Sequence, residues 1–150
     1  MLFRSNINFD IDSEVVFFDH LQSESGKRMR NRTTLSKLFN FSGIEVTPAV
    51  ALDYAKFKPD ANEKDTDRTI PIYSLDIKAN LIKISNDGDV RQSIQPRVMA
   101  VYIPFEDQSE FPFIDTLMPD FNYFQLFNEN RFIGNDRIGD TSKISYGIVA

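Results

Sequence analysis

The 150-residue chain is long enough for one domain with a sizeable core, and its 17 basic against 22 acidic residues leave a formal net charge of -5. That sign argues against nonspecific nucleic-acid binding, which needs a basic surface to displace counterions from phosphate. The absence of cysteine excludes a disulfide framework and any thiolate metal site, and no run of about 18 apolar residues supplies a transmembrane helix.

The opening residues Met1-Leu2-Phe3-Arg4-Ser5 lack the basic-then-apolar pattern of an export signal, and no reading of the fold rests on them. From Ile7 the dominant period is two. Ile7, Phe9, Ile11, Val15 and Phe17 fall on one face, broken only by Ser13, while Asn8, Asp10, Asp12 and Glu14 fall on the other. Such alternation predicts a strand with one apolar and one polar face. Continued along the chain, the pattern predicts strands over 7–20, 32–42, 44–58, 69–85, 89–105 and 141–150. The fourth is the cleanest, with Tyr73, Leu75, Ile77, Ala79 and Leu81 opposed to Ser74, Asp76, Lys78 and Asn80.

The connections alternate between short and long. Ser42-Gly43 joins the second and third strands, and Asn86-Asp87-Gly88-Asp89 joins the fourth and fifth with the Asp-Gly pair of a tight hairpin. Polar connections over 22–31 and 59–68, and a very long one over 106–140, make up the remainder. Short turns on one side and long loops on the other are the layout of an outer-membrane barrel. Strands of this length exceed the 5–6 residues usual in soluble sheets and satisfy the roughly 9–11 needed to cross a bilayer. The fold class expected is therefore all-β: an antiparallel up-and-down meander of six long strands, forming an open segment of a large transmembrane β-barrel. Six strands fall short of the roughly eight in the smallest natural membrane barrels, and open edges in lipid leave backbone groups unpaired. A longer chain, with its true N-terminus elsewhere, is the expectation. A soluble all-β carbohydrate-binding module is the alternative, since alternation alone does not say which face meets water.

No catalytic constellation is expected. Asp10, Asp12 and Glu14 stand about 6.5–7 Å apart along one strand face, a separation known from inverting glycosidases, yet such pairs come from different strands lining a cleft. A hydrated polar wall is the better reading. His20, the sole histidine, has no companion ligands or nucleophile. The Asn86–Asp89 segment lacks the spaced ligands and closing Glu of a calcium loop. No cofactor or metal is expected. The 106–140 loop is too apolar for a disordered tail: Phe105, Phe111, Phe113, Phe121, Tyr123, Phe124, Phe127 and Phe132 lie in it or at its edge. It is expected to fold over the barrel mouth or into the lumen, packed on its aromatics, with Asp136 and Arg137, between Gly134 and Gly139, pinning its return by salt bridges and tight turns.

The stretch from Gln95 to Ile148 also carries a specific pattern: Gln95-Pro96-Arg97, then Val101-Tyr102-Ile103-Pro104-Phe105-Glu106-Asp107-Gln108-Ser109, Phe113-Ile114-Asp115-Thr116, Pro119-Asp120-Phe121-Asn122, Gln125-Leu126-Phe127, Glu129-Asn130-Arg131-Phe132, and Gly134 before Asp136-Arg137-Ile138-Gly139-Asp140. It resembles the middle of the C-terminal barrel of the LPS-assembly family LptD, in which a strand ending in a Tyr-Val-Pro-Tyr-like run enters a long extracellular loop closed by Gly-x-Asp-Arg-Ile. The match is specific over the last third of the chain and looser upstream. The resemblance implies a large barrel in the bacterial cell outer membrane that performs no bond chemistry. It implies that the whole protein inserts lipopolysaccharide into the outer leaflet, with the lipoprotein LptE held in the lumen and the remaining strands of the same barrel as further partners. The family's periplasmic jelly-roll domain, its inter-domain cysteines and the terminal strands forming its lateral gate have no counterpart in these residues, so no gate residue carries over. In that frame, Asp76, Lys78, Asn80, Ser93, Gln95 and Arg97 are the candidate lumen-facing positions. Lys27, Arg28, Arg30 and Arg32, read as an extracellular loop, are the candidate contacts to lipopolysaccharide phosphate.

Overall fold

A computed structural model describes residues 5–19, 25–60, 64–84, 91–120 and 122–149. Four long strands open the chain: β1 (Ser5–Phe18), β2 (Gly26–Phe41), β3 (Ile44–Pro59) and β4 (Thr66–Ala79). β5 (Leu81–Ile84), β6 (Arg91–Ile103) and, after the long loop, β9 (Thr141–Val149) complete a single seven-stranded antiparallel sheet. Neighbours in sequence are neighbours in space, giving the order β1-β2-β3-β4-β6 with β9 on the far side of β6. β5 continues the pairing of β4 with β6 in the same register, since Lys78↔Arg97 is followed by Leu81↔Ile94. At the break between them the Asn80 amide donates to the carbonyl of Gly43 at 3.1 Å. The sheet is not closed on itself. Among the described residues no helix is long and apolar enough to cross a membrane.

The β2–β3 hairpin turns on two residues, Ser42 and Gly43, at φ 50° and 91°. Positive φ at both central positions is the geometry whose twist matches that of paired strands, and glycine supplies the second at no steric cost. The Asn86–Asp89 hairpin and His20 lie outside the described residues, as does Phe121.

The strand boundaries correct the sequence reading in one place that matters. β2 begins at Gly26, six residues before the expected 32, so Lys27 to Arg32 are strand and not loop. Of the charges that read as a solvated connection, Arg28, Arg30 and Arg32 lie on the polar face of the sheet, where neighbouring strands and the long loop bring carboxylates to them. The 106–140 connection, read as one long loop packed on its aromatics, contains a two-residue pair between β7 (Thr116–Leu117) and β8 (Ile133–Gly134) and a single helical turn, α1 (Tyr123–Leu126).

Register divides the sheet into two unlike faces. On one, Phe9↔Leu35↔Val50↔Tyr73↔Tyr102 forms a continuous row across five strands, and every member is exposed, from 44% at Tyr73 to 65% at Phe9. The other face carries the loop. Ala51, Ile70, Ile72, Met99, Val101 and Ile103 from the sheet pack with Phe127 and Ile138 from the loop. A second cluster joins Ala55 and Phe57 to Phe111, with the Phe57 and Phe111 rings edge-on at 6.5 Å. The core thus lies between sheet and loop, and the outer apolar face stays bare.

Candidate functional site

The chemistry of the chain is concentrated where the loop meets the polar sheet face. Period-two spacing puts Arg28, Arg30 and Arg32 on that face of β2, and carboxylates approach them from three directions. From β1, Glu14 lies 3.4 Å from Arg28 and Asp12 lies 3.3 Å from Arg30. From β3, the fully buried Asp53 accepts from Arg30 at 2.6 and 2.9 Å and stands 3.6 Å from Arg68 of β4. From the loop, Asp136 pairs with Arg28, Asp115 stands 3.3 Å from the same guanidinium, and Glu129 pairs with Arg32.

Asp136 organises the loop end. Only 2% exposed, it accepts from the Ile114 amide at 2.8 Å, from the Asp115 amide and from Arg28. Beside it Arg68 donates to the Asn135 carbonyl at 2.7 Å, and the Asn135 amide group donates to Glu14 at 2.7 Å. Further along, Glu129 also accepts from Ser74 at 2.7 Å, and Lys143 of β9 donates to the carbonyls of Gln125 and Asn128. Gln108 makes a reciprocal pair with the backbone of Ile138, donating at 2.7 Å and accepting at 3.2 Å. Removing one partner of a buried ion pair is costly, because it leaves the other charge uncompensated. The network therefore fixes the loop against the sheet by many separate anchors.

Of the six candidate lumen-facing residues, three converge. Arg97 holds Asp76 in a two-point contact at 2.9 and 3.0 Å, Lys78 reaches Asp76 at 3.0 Å, and the Arg97 guanidinium stacks 4.4 Å from the Phe127 ring centre. Asn80, Ser93 and Gln95 are exposed on the same face.

The four basic residues read as a phosphate site do not form one patch. Arg28, Arg30 and Arg32 spend their charge on carboxylates of the chain itself, and Arg28 is 1% exposed. Lys27 points to the opposite face, with its ammonium 5.2 Å from the Phe17 ring centre. Asp12 and Glu14, considered as acid/base groups, each face an arginine.

The four loop residues Gly134, Asp136, Arg137 and Gly139 meet different surroundings. Gly134 adopts φ +90°, and a Cβ there would fall 1.9 Å from the Asp115 carbonyl oxygen. At Gly139 a Cβ would meet Arg131 at 2.6 Å. Asp136 pins the return by an ion pair, but Arg137 does not. Its guanidinium stacks on Phe113 and Phe132 at 4.9 and 5.3 Å from the ring centres. Sequence reasoning missed Asp53, Arg68, Asp115 and Glu129. Asp53 left a signal, a charge among Ala51, Ala55 and Phe57 at alternating positions, whereas the other three lie in segments that read as connections.

The family described as "LptD: LPS transport system D" matches residues 1–150. Among curated relatives, the LPS-assembly protein LptD of Cupriavidus metallidurans is 37% identical over 85% of this chain and 17% of its own length. The protein of the same name from Hahella chejuensis is 31% identical over 96% of the chain and 20% of its own length. That of Pseudomonas aeruginosa is 32% identical over 87% and 16% respectively. The chain spans about a fifth or less of these relatives. Matched over its whole length, the chain belongs to the LptD family.

Proposed function

We propose that residues 1–150 form a wall segment of an outer-membrane β-barrel that inserts lipopolysaccharide into the outer leaflet, with the 104–140 loop fixed inside the lumen. The observation that carries this reading is the bare apolar row Phe9, Leu35, Val50, Tyr73 and Tyr102. Contiguous exposed apolar surface on this scale marks an interaction or membrane face. Along the same face of β2, Lys27 and Lys37 bracket Met29 and Leu35. Ten residues at ~3.3 Å span ~33 Å, and a tilt of ~40° reduces this to ~25 Å, the height of a barrel's apolar band. The inverse face, rich in buried ion pairs, suits a water-filled interior. Both outer edges, β1 and β9, then pair with further strands of the same barrel. The names of the relatives supply lipopolysaccharide as cargo, and the family resemblance supplies LptE as lumen partner. The chain's own contribution is wall and inner partition, without bond chemistry.

The test uses the full-length protein in vesicles of brominated phosphatidylcholine. Tryptophan at Phe9 or Val50 is expected to lose fluorescence to the bromines, whereas tryptophan at Asn8, on the opposite face, keeps it. Unquenched signals from Phe9→Trp and Val50→Trp would put this face in water and return the reading to a soluble carbohydrate-binding sheet.

A further inference from the structure

At the end of the sheet that bears the loop, the first and last segments of the 104–140 connection enclose an open pocket of about 370 Å³. Its volume falls within the range of small-ligand sites, roughly 300–1,000 Å³. Two aromatic rings stand at its surface, Phe105 at 75% and Phe113 at 53% exposure. Arg137 lines it as well, exposed, with its guanidinium held between Phe113 and Phe132. That arginine has no carboxylate partner among the described residues, so its planar set of donors is both immobilised and unspent. Glu106, Asp107 and Asp140 supply acceptors on the pocket wall. Asp107 is capped by the Ser109 amide at 3.0 Å, a bond that holds its carboxyl below the usual carboxylate range and hence charged.

Asp140 is offset by Arg131, 3.9 Å away, and Arg137 alone stands against Glu106 and Asp107 on the wall, so the pocket remains net negative, which opposes a phosphate or a carboxylate ligand. Exposed rings flanked by fixed donors and acceptors suit a ligand with apolar C–H faces and a rim of hydroxyls. We propose that this pocket binds a neutral sugar unit, with Phe105 as the stacking platform, Arg137 donating to sugar oxygens, and Glu106 and Asp107 accepting from hydroxyls. Binding of a sugar does not depend on the membrane reading. That the sugar belongs to the glycan portion of lipopolysaccharide rests on the function proposed above.

The experiment is saturation-transfer difference NMR on the full-length protein in detergent micelles. The probes are methyl α-glucoside and a delipidated, dephosphorylated core oligosaccharide, each with and without inorganic phosphate. Transfer to sugar C–H protons is expected, unchanged by phosphate, and lowered about fivefold in Phe105→Ala and in Arg137→Lys. Unchanged heat-modifiable gel migration of both variants separates loss of the site from loss of the fold, and the exposure of Phe105 makes its truncation structurally mild. Absence of transfer from the parent protein, equal transfer in parent and variants, or displacement of the sugar by phosphate would each overturn the proposal. Sugar binding that persists while Phe9→Trp stays unquenched would sink the membrane reading and leave this one standing.

Discussion

Replacing Asp136 by alanine tests the claim that the loop is clamped to the sheet and does not act as a loose lid. The substitution removes the acceptor of two backbone amides, Ile114 and Asp115, and the closest anion to a guanidinium that is 1% exposed. Breaking a buried pair from one side costs about 3–5 kcal/mol, and each orphaned amide about 1–3 kcal/mol. Asp115 and Glu14 remain 3.3 and 3.4 Å from Arg28 and offset part of the loss, so a net local cost of about 3–4 kcal/mol is expected. At 1.36 kcal/mol per decade that is a rise of about 10²–10³-fold in loop opening. Hydrogen exchange on the full-length protein reads it directly. Peptides covering 111–138 should lose protection by that factor, while peptides within β3 and β4 keep theirs. Pairing the change with Arg28→Met should restore part of the protection, because it removes the uncompensated guanidinium but leaves the Ile114 and Asp115 amides without their acceptor. Unchanged exchange in Asp136→Ala, or loss spread evenly over the sheet, would refute the clamp.

Two more substitutions probe the same geometry. Gly134→Ala places a Cβ 1.9 Å from a backbone oxygen at φ +90°, so the β7–β8 pair should part and added protease should cut the loop in intact cells at least about tenfold faster. Val50→Lys puts a charge in the middle of the bare apolar row and should cost about 2–4 kcal/mol, seen as less heat-modifiable folded protein. Asn8→Lys, on the polar face, should leave the folded fraction unchanged, and equal effects would contradict the assignment of faces.

Much of the wall is legible in the sequence because a strand writes its two faces at alternate positions. Ile7 to Phe17 and Tyr73 to Ala79 can be read without neighbours, and the Ser42-Gly43 turn announces the hairpin. Local pattern fails where charge stands in for burial. Lys27 to Arg32 alternates no better than a solvated loop, and Thr66 to Arg68 carries no apolar signal, so both strand starts read as connections. Arg28 is buried because Asp136, 108 residues away, returns to meet it. Glu129 is held by Arg32 and Ser74, which come together only when β2 and β4 flank β3.

Alone, then, the sequence determined the β period, the hairpin, the alternation of loop lengths and the family pattern around Asp136-Arg137-Ile138. These are local features, set by residues within a few positions of one another. Only the tertiary structure decided which face stays bare, which arginines are spent on carboxylates, and that Arg137 is stacked and unspent beside a pocket. Ion pairing and burial depend on atoms that converge from distant segments, and no spacing along one chain encodes their meeting.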